Sequence, residues 1–195
     1  MSENVLIETS DGIVIVRFTR PERKNPLSRS VIEHLHALAD ALAADRSVEK
    51  VILTGIGDAF ASGANLHEIA ALSAEDAPEF AHLGQSLMQK IVELPQIVIA
   101  AVNGHCFGGG LDLALACDAR IASPNARFAH PGASLGIITG WGGTQRLPRL
   151  VGEGNALEMF FSADPISAER AFAIGLVDEI SNDLLTSALQ CARSV

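Results

Sequence analysis

The chain has 195 residues, 48% apolar and 19% Asp, Glu, Lys or Arg, with a formal net charge of −9. That is a globular composition, long enough to bury roughly 70% of its unfolded surface as a single domain over residues 1–195. The negative balance excludes a nucleic-acid binder, which needs a basic face.

In chain order, Val5 to Glu8 and Ile13 to Phe18 flank Asp11-Gly12 and predict a hairpin. Ser28 is placed to cap a helix running to about Ala44, with Ile32, Leu35, Leu38, Ala39 and Leu42 on one face. Lys50 to Thr54 reads as a strand, and Ser73 to Glu93 as mostly helical after a loop containing Pro78. The buried-strand run Ile97 to Val102 leads into a glycine turn, a helix over 109–117, and strands over 119–122 and 127–129. Helices are expected near Gly143–Leu150 and Glu153–Phe161, another capped by Ser167, and a last one from about Asn182 after a strand at Val177–Ile180. Alternating strands and helices with neither repeats nor low-complexity linkers define an α/β fold.

The run Ile97 to Val102 is the longest apolar one and is too short to cross a bilayer. Met1-Ser2-Glu3-Asn4 lacks the basic and apolar regions of a secretory signal, so a cytoplasmic protein with no membrane partner is expected. Cys106, Cys117 and Cys191 have no metal-type pairing and leave one thiol over in any disulfide scheme. The six His likewise lack ligand spacing, so no metal site is expected.

The segment Val102-Asn103-Gly104-His105-Cys106-Phe107-Gly108-Gly109-Gly110-Leu111-Asp112 carries the most chemistry. Glycines let the backbone approach a ligand, and the first turn of a helix has N–H groups without intrahelical partners that favour negative charge. The spacing is neither that of a phosphate-binding P-loop nor that of a dinucleotide fold. Taken alone, the turn reads either as an anion-stabilising site with an adjacent acid or as a close-packed strand–helix junction without a ligand.

A second small-residue string, Asp58-Ala59-Phe60-Ala61-Ser62-Gly63-Ala64-Asn65-Leu66-His67-Glu68, follows the strand at Val51 to Gly55. Together the two strings resemble the paired signature of the enoyl-CoA hydratase/isomerase (crotonase) superfamily. Arg20-Pro21-Glu22-Arg23-Lys24-Asn25-Pro26, Ala116-Cys117-Asp118-Ala119-Arg120, Gly142-Gly143-Thr144-Gln145-Arg146-Leu147 and Gly175-Leu176-Val177-Asp178-Glu179 extend the likeness, in order, over nearly the whole chain.

The resemblance implies a crotonase-like spiral of ββα units that binds an acyl-CoA thioester. Coenzyme A is then part of the substrate, and no separate cofactor is needed. It places two oxyanion-hole donors at the backbone N–H groups of Ala64 and Gly109. Ala61, Gly63, Asn65, Leu66 and Gly108 fall around them in the substrate site, and Arg23 and Lys24 are candidates for the coenzyme phosphates. That basic turn reads equally well as a solvated surface. Hydratases of the family use two glutamates: the first position is Asp112 here, and the second is Gly132, which has no side chain. His130 and His105 flank the expected pocket and are candidates for the missing proton transfer. Trp141 is placed either to wall the acyl site or to pack in the core, and His67 reads as a surface residue. The family assembles as trimers or hexamers through helices beyond this point, which are largely missing from the chain.

Three functions follow as expectations. The first is an enoyl-CoA hydratase or lyase with Asp112 as acid–base residue. The second is an isomerase, hydrolase or decarboxylase of an acyl-CoA. The third is a non-catalytic acyl-CoA-binding homologue.

Overall fold

A computed structural model describes residues 4–191; the first three and last four residues of the expected domain lie outside the described residues. The hairpin forms as expected between β1 (Val5–Ser10) and β2 (Ile13–Phe18), in register from Val5 opposite Phe18 to Ser10 opposite Ile13. Asp11 and Gly12 both have positive φ, 48° and 76°, as a tight turn between right-twisted strands requires. A two-residue strand β3 (Pro26–Leu27) follows, then α1 (Arg29–Ala44), whose first turn is capped by the Ser28 hydroxyl accepting from the Val31 amide.

From here the chain winds in a repeating pattern. β4 (Lys50–Gly55) is followed by β5 (Ala59–Ala61), a two-residue β6 (Gly63–Ala64), and helices α2 (Leu66–Ala71) and α3 (Ala77–Glu93). β7 (Ile97–Val102) is followed by β8 (His105–Phe107) and α4 (Gly109–Leu115). β9 (Ala119–Ala122) is followed by β10 (Arg127–Ala129) and then α5 (Gly132–Leu135), α6 (Gly143–Val151) and α7 (Glu153–Ser162). The described chain closes with β11 (Ile166–Ser167), α8 (Ala168–Ala173), β12 (Glu179–Ile180) and α9 (Leu184–Gln190).

The first strand of each unit joins a six-stranded sheet in the order β1-β2-β4-β7-β9-β12, and the second joins a four-stranded sheet in the order β11-β10-β8-β5. Apart from the β1–β2 and β10–β11 pairs, neighbours in both sheets run parallel. This is the spiral of ββα units. The main core lies inside it and contains Phe18, Leu35, Leu53, Phe60, Leu87, Leu111 and Phe128. A second apolar layer, Ile52, Ile99, Ala101 and Ile121, is covered by Ala188 of α9.

Several boundaries differ from expectation; the strand expected at Val177–Ile180, for one, forms only over Glu179–Ile180. Pro78 lies in the first turn of α3, where its missing N–H costs nothing, so the loop ends before it. The helix after the glycine turn is shorter than expected, seven residues, because Ala116 and Cys117 turn toward β9. The two- and three-residue strands carry no periodicity of their own and exist because the longer strands bring them together.

Candidate active site

Two asparagines shape the ground beneath the site. Asn103, between β7 and β8, accepts from the Gly55 amide at 3.0 Å and donates to the Gly57 carbonyl at 2.9 Å and the Ala59 carbonyl at 3.2 Å. Asn25, 1% exposed, accepts from the Arg20 amide at 2.8 Å and donates to the Ala59 carbonyl at 2.7 Å. These bonds satisfy buried backbone groups of the β4–β5 turn and fix where the chain re-emerges at Gly63 and Ala64.

There two backbones meet. Gly63 has φ +96°, and a Cβ built on it would stand 2.8 Å from the Phe107 carbonyl and 2.9 Å from the Gly109 nitrogen. A Cβ on Gly109 would stand 3.3 Å from the Ala64 nitrogen. The amides of Ala64 and Gly109 are therefore close neighbours, brought together from β6 and the start of α4. Gly108, at φ 51° and ψ −121°, makes the turn from β8 into that helix, a conformation that disfavours any side chain. Gly109 is the first helical residue, so its N–H has no partner within the helix.

These amides edge a pocket of about 290 Å³. Its walls are Leu66, Ile69, Leu72 and Phe80 of α2 and α3, facing Leu135, Ile137, Ile138 and Trp141. Trp141 is both wall and core: it is 4% exposed, leans on Phe80 with ring centroids 5.7 Å apart, and occupies space left by Gly84 and Gly109. No Lys or Arg lines the pocket among the described residues, and its one acid is Asp112.

Asp112, in the first turn of α4, is 1% exposed. Burial raises its pKa to about 6, against the lowering effect of the Thr139 hydroxyl, the Trp141 amide, the Arg146 guanidinium and the Gly143 amide. The Thr139 hydroxyl donates to Oδ2, while Oδ1 has no hydrogen-bond partner among the described residues. His130 Nε2 lies 3.7 Å from Oδ1. The imidazole is 2% exposed, packs on Phe160 at 5.1 Å, and has neither nitrogen hydrogen-bonded among the described residues. Burial lowers its pKa to about 4, so it is neutral across the physiological range. A buried acid titrating near neutrality thus stands close to a neutral imidazole, just beyond direct hydrogen-bond reach.

Of the residues the sequence singled out, Gly63, Ala64, Leu66, Gly108, Gly109, Asp112, His130, Gly132 and Trp141 line this pocket. Ala61 lies just behind it, its carbonyl filling the space where Gly110 has no Cβ. Asn65 caps α2 by accepting from the His67 amide at 3.1 Å, and His67 is exposed. Lys24 is paired with Asp58, and Arg23 is exposed at the end of a short 3-10 turn, so both sit outside the pocket. His105 does not flank the pocket: it lies on β8, edge-on to Phe107 at 5.1 Å. Burial drives the thiols of Cys117, to about 12, and Cys106, further still, away from ionisation, so neither is a nucleophile.

Thr139 was invisible from sequence, because its partner is 27 residues away and belongs to another turn of the spiral. Gly132 holds a second surprise. A Cβ there would collide with the Ile137 carbonyl, so the place of a second acid is filled by backbone and not left vacant. Gly132→Glu is accordingly expected to lower the Tm by about 5 °C, the scale of ~1–3 kcal/mol of overpacking, and to give no gain in hydration rate. A faster enzyme at unchanged Tm in a thermal melt and turnover assay is the contrary result.

A pocket with paired amide donors and a buried acid defines a class of enzyme that stabilises a developing anion. Residues 8–195 match the enoyl-CoA hydratase/isomerase family. The chain is 43% identical over 179 residues to a crotonyl-CoA hydratase of Syntrophomonas wolfei, covering 91% of this chain and 69% of that one. It is 38% identical over 195 residues to a short-chain-enoyl-CoA hydratase of Clostridium acetobutylicum, covering 98% and 75%. The crystal structure of an enoyl-CoA hydratase from Bacillus anthracis superposes with a TM-score of 0.92 at 37% identity, covering 96% of this chain and 74% of that one. The chain belongs to the enoyl-CoA hydratase/isomerase family, and it is an acyl-CoA enzyme of the hydratase type.

Proposed function

We propose that the enzyme adds water to a short, uncharged trans-2-enoyl-CoA. The single observation that carries this reading is the convergence of the Ala64 and Gly109 amides beside a buried Asp112 whose carboxyl titrates at about 6. The thioester oxygen accepts both amides, so charge displaced from the double bond collects where two fixed dipoles meet it. Asp112, ionised above its pKa, takes a proton from water as the water oxygen bonds to Cβ. The protonated carboxyl then returns that proton to Cα, which completes the addition with one acid. His130, neutral and beside Oδ1, supplies the second polar contact that Gly132 does not, holding the water and sharing the proton. An acyl group bearing a carboxylate is disfavoured, since the pocket offers it Asp112 and no cation.

A single carboxylate also suits a 1,3-proton shift, and the backbone-filled place at Gly132 favours that as a second reading. Titration calorimetry with a four-carbon 2-enoyl-CoA, followed in the same sample by loss of the conjugated thioester absorbance, separates the readings. Binding with loss of absorbance supports hydration. Binding without turnover, with conversion of the 3-enoyl isomer into a conjugated product, replaces hydration by isomerisation. No binding overturns both.

The reading includes a trimeric or hexameric assembly in the cytoplasm, with coenzyme A as part of the substrate and no separate cofactor. Exposed Leu157, Phe161 and Phe172, at 51%, 78% and 53%, support subunit contacts over α7 and α8. Cys106 and Cys117, both buried free thiols, fit a reducing compartment. Among the described residues no helix is long and apolar enough to cross a membrane, and no group of three His, Cys, Asp or Glu could hold a metal ion.

A further inference from the structure

Asp112 has two oxygens in different circumstances. Oδ2 accepts the Thr139 hydroxyl, whereas Oδ1 is buried without a hydrogen-bond partner among the described residues, 3.7 Å from His130 Nε2. Thr139 is itself held. It lies on the loop between α5 and α6, bracketed by Gly136 at φ 69° and Gly142 at φ 109°, and the next residue's carbonyl accepts the Gln85 side chain of α3 at 2.8 Å. Its methyl packs over Gly143, where a Cβ would stand 2.9 Å from Thr139 Cγ2 and 3.0 Å from His130 Cε1, in collision with Asp112 Oδ1. A β-branched side chain has few χ1 choices, and a methyl seated on a glycine leaves the hydroxyl aimed at the carboxylate.

We propose that Thr139 is a positioning residue for the reaction: by donating to Oδ2 it anchors one carboxylate oxygen and leaves Oδ1, turned to His130, as the working one. The same loop thus does two things. Its Ile137 carbonyl fills the place of a second acid, and its Thr139 hydroxyl orients the acid that is present. A donor to the ionised form also holds the carboxyl below the value that burial alone would impose. The other titratable or charged groups facing Asp112 are neutral His130 from the segment after β10, Arg146 from α6 and the un-ionised Cys106 thiol from β8. Thr139 is thus the side chain that donates a hydrogen bond to it.

The inference rests on Asp112 as the base, so the test carries three variants of the full chain, each assayed for hydration of a four-carbon enoyl-CoA from pH 5 to 9. Thr139→Val keeps the shape and removes the donor. Its kcat/KM is expected to fall about threefold at pH 6.5 and to approach a tenfold loss at pH 5, to recover by pH 9, and to show an acid limb moved up by about one pH unit. Thr139→Ser keeps the donor and loses the methyl, and its limb is expected to return to within about 0.3 of a pH unit of the parent. Binding of a saturated four-carbon acyl-CoA reports that each variant is folded. A valine variant slowed equally at all pH values, or with an unmoved limb, overturns the proposal, as does a serine variant whose limb matches valine. Asp112→Asn keeping the parental rate overturns instead the reading beneath it, and the two failures are told apart by which variant is at fault.

Discussion

Asp112→Asn is expected to lower kcat about 10²- to 10⁴-fold while a saturated acyl-CoA binds within a few-fold of the parent. Asparagine keeps the volume and still accepts from Thr139, so the change removes charge and proton transfer and little else. For the parent, kcat/KM rises with pH through about 6, because the ionised form is the one that takes a proton from water. The same residue carries an opposite signature in stability. Its folded pKa of about 6 lies above the ordinary 3.8, so the stability it contributes is complete below 3.8 and is lost as pH rises through 6. A rise of this size corresponds to a cost on the order of 3 kcal/mol at neutral pH, so Asp112→Asn should melt several degrees higher than the parent at pH 8, with the gap closing by pH 4. An inactive variant that melts lower at pH 8 contradicts the burial account, and an active one contradicts the assignment of the base.

Gly109→Ala is expected to cost about 10²- to 10³-fold in kcat/KM, the scale of losing an oxyanion donor, although its N–H survives. The added methyl would occupy the space of the Trp141 ring, and Trp141 has little room to yield, being held on its other side by Phe80 and the gap at Gly84. Either the ring intrudes on the thioester position or the start of α4 moves away from Ala64. The remedy is a second substitution that shortens the intruder. Gly109→Ala combined with Trp141→Leu is expected to regain at least about tenfold over Gly109→Ala alone, a coupling that contact between the two residues requires. Additive losses in the double variant would show that the methyl acts through something other than Trp141.

The sequence announced some of this and hid the rest, for physical reasons. Gly63, Ala64, Gly108 and Gly109 were legible because bare backbone is needed wherever two main chains and a ligand converge, and two runs of small residues advertise that need. Asp112 was legible as a carboxylate in the first turn of a helix, but its burial was not, since the surroundings come from α6, the segment after β10 and the loop at Thr139. The basic residues show the converse. Lys24 reads either as a phosphate contact or as a solvated turn, and its pairing with Asp58, 34 residues away, is not visible along the chain. His105 reads as a neighbour of the pocket by its place beside the glycines, yet residues along a strand alternate between faces, and its own points elsewhere. Gly132 reads as an empty position, and only the folded loop reveals that the Ile137 carbonyl stands where its Cβ would be. Spacing along the chain discloses groups that one turn or helix brings together, and it is silent on those that meet across turns of a spiral.

Trp141 has a consequence apart from shape. It is the single tryptophan of a chain that contains no tyrosine, so the protein's intrinsic fluorescence originates at the wall of the pocket. The indole is buried against Phe80 and set over the glycine that begins α4. Its emission colour therefore reads the dryness of that wall, without background from any other part of the molecule. Filling, flooding or loosening the cavity each changes the light from the same ring, and the enzyme arrives with an optical gauge already installed where its chemistry is done.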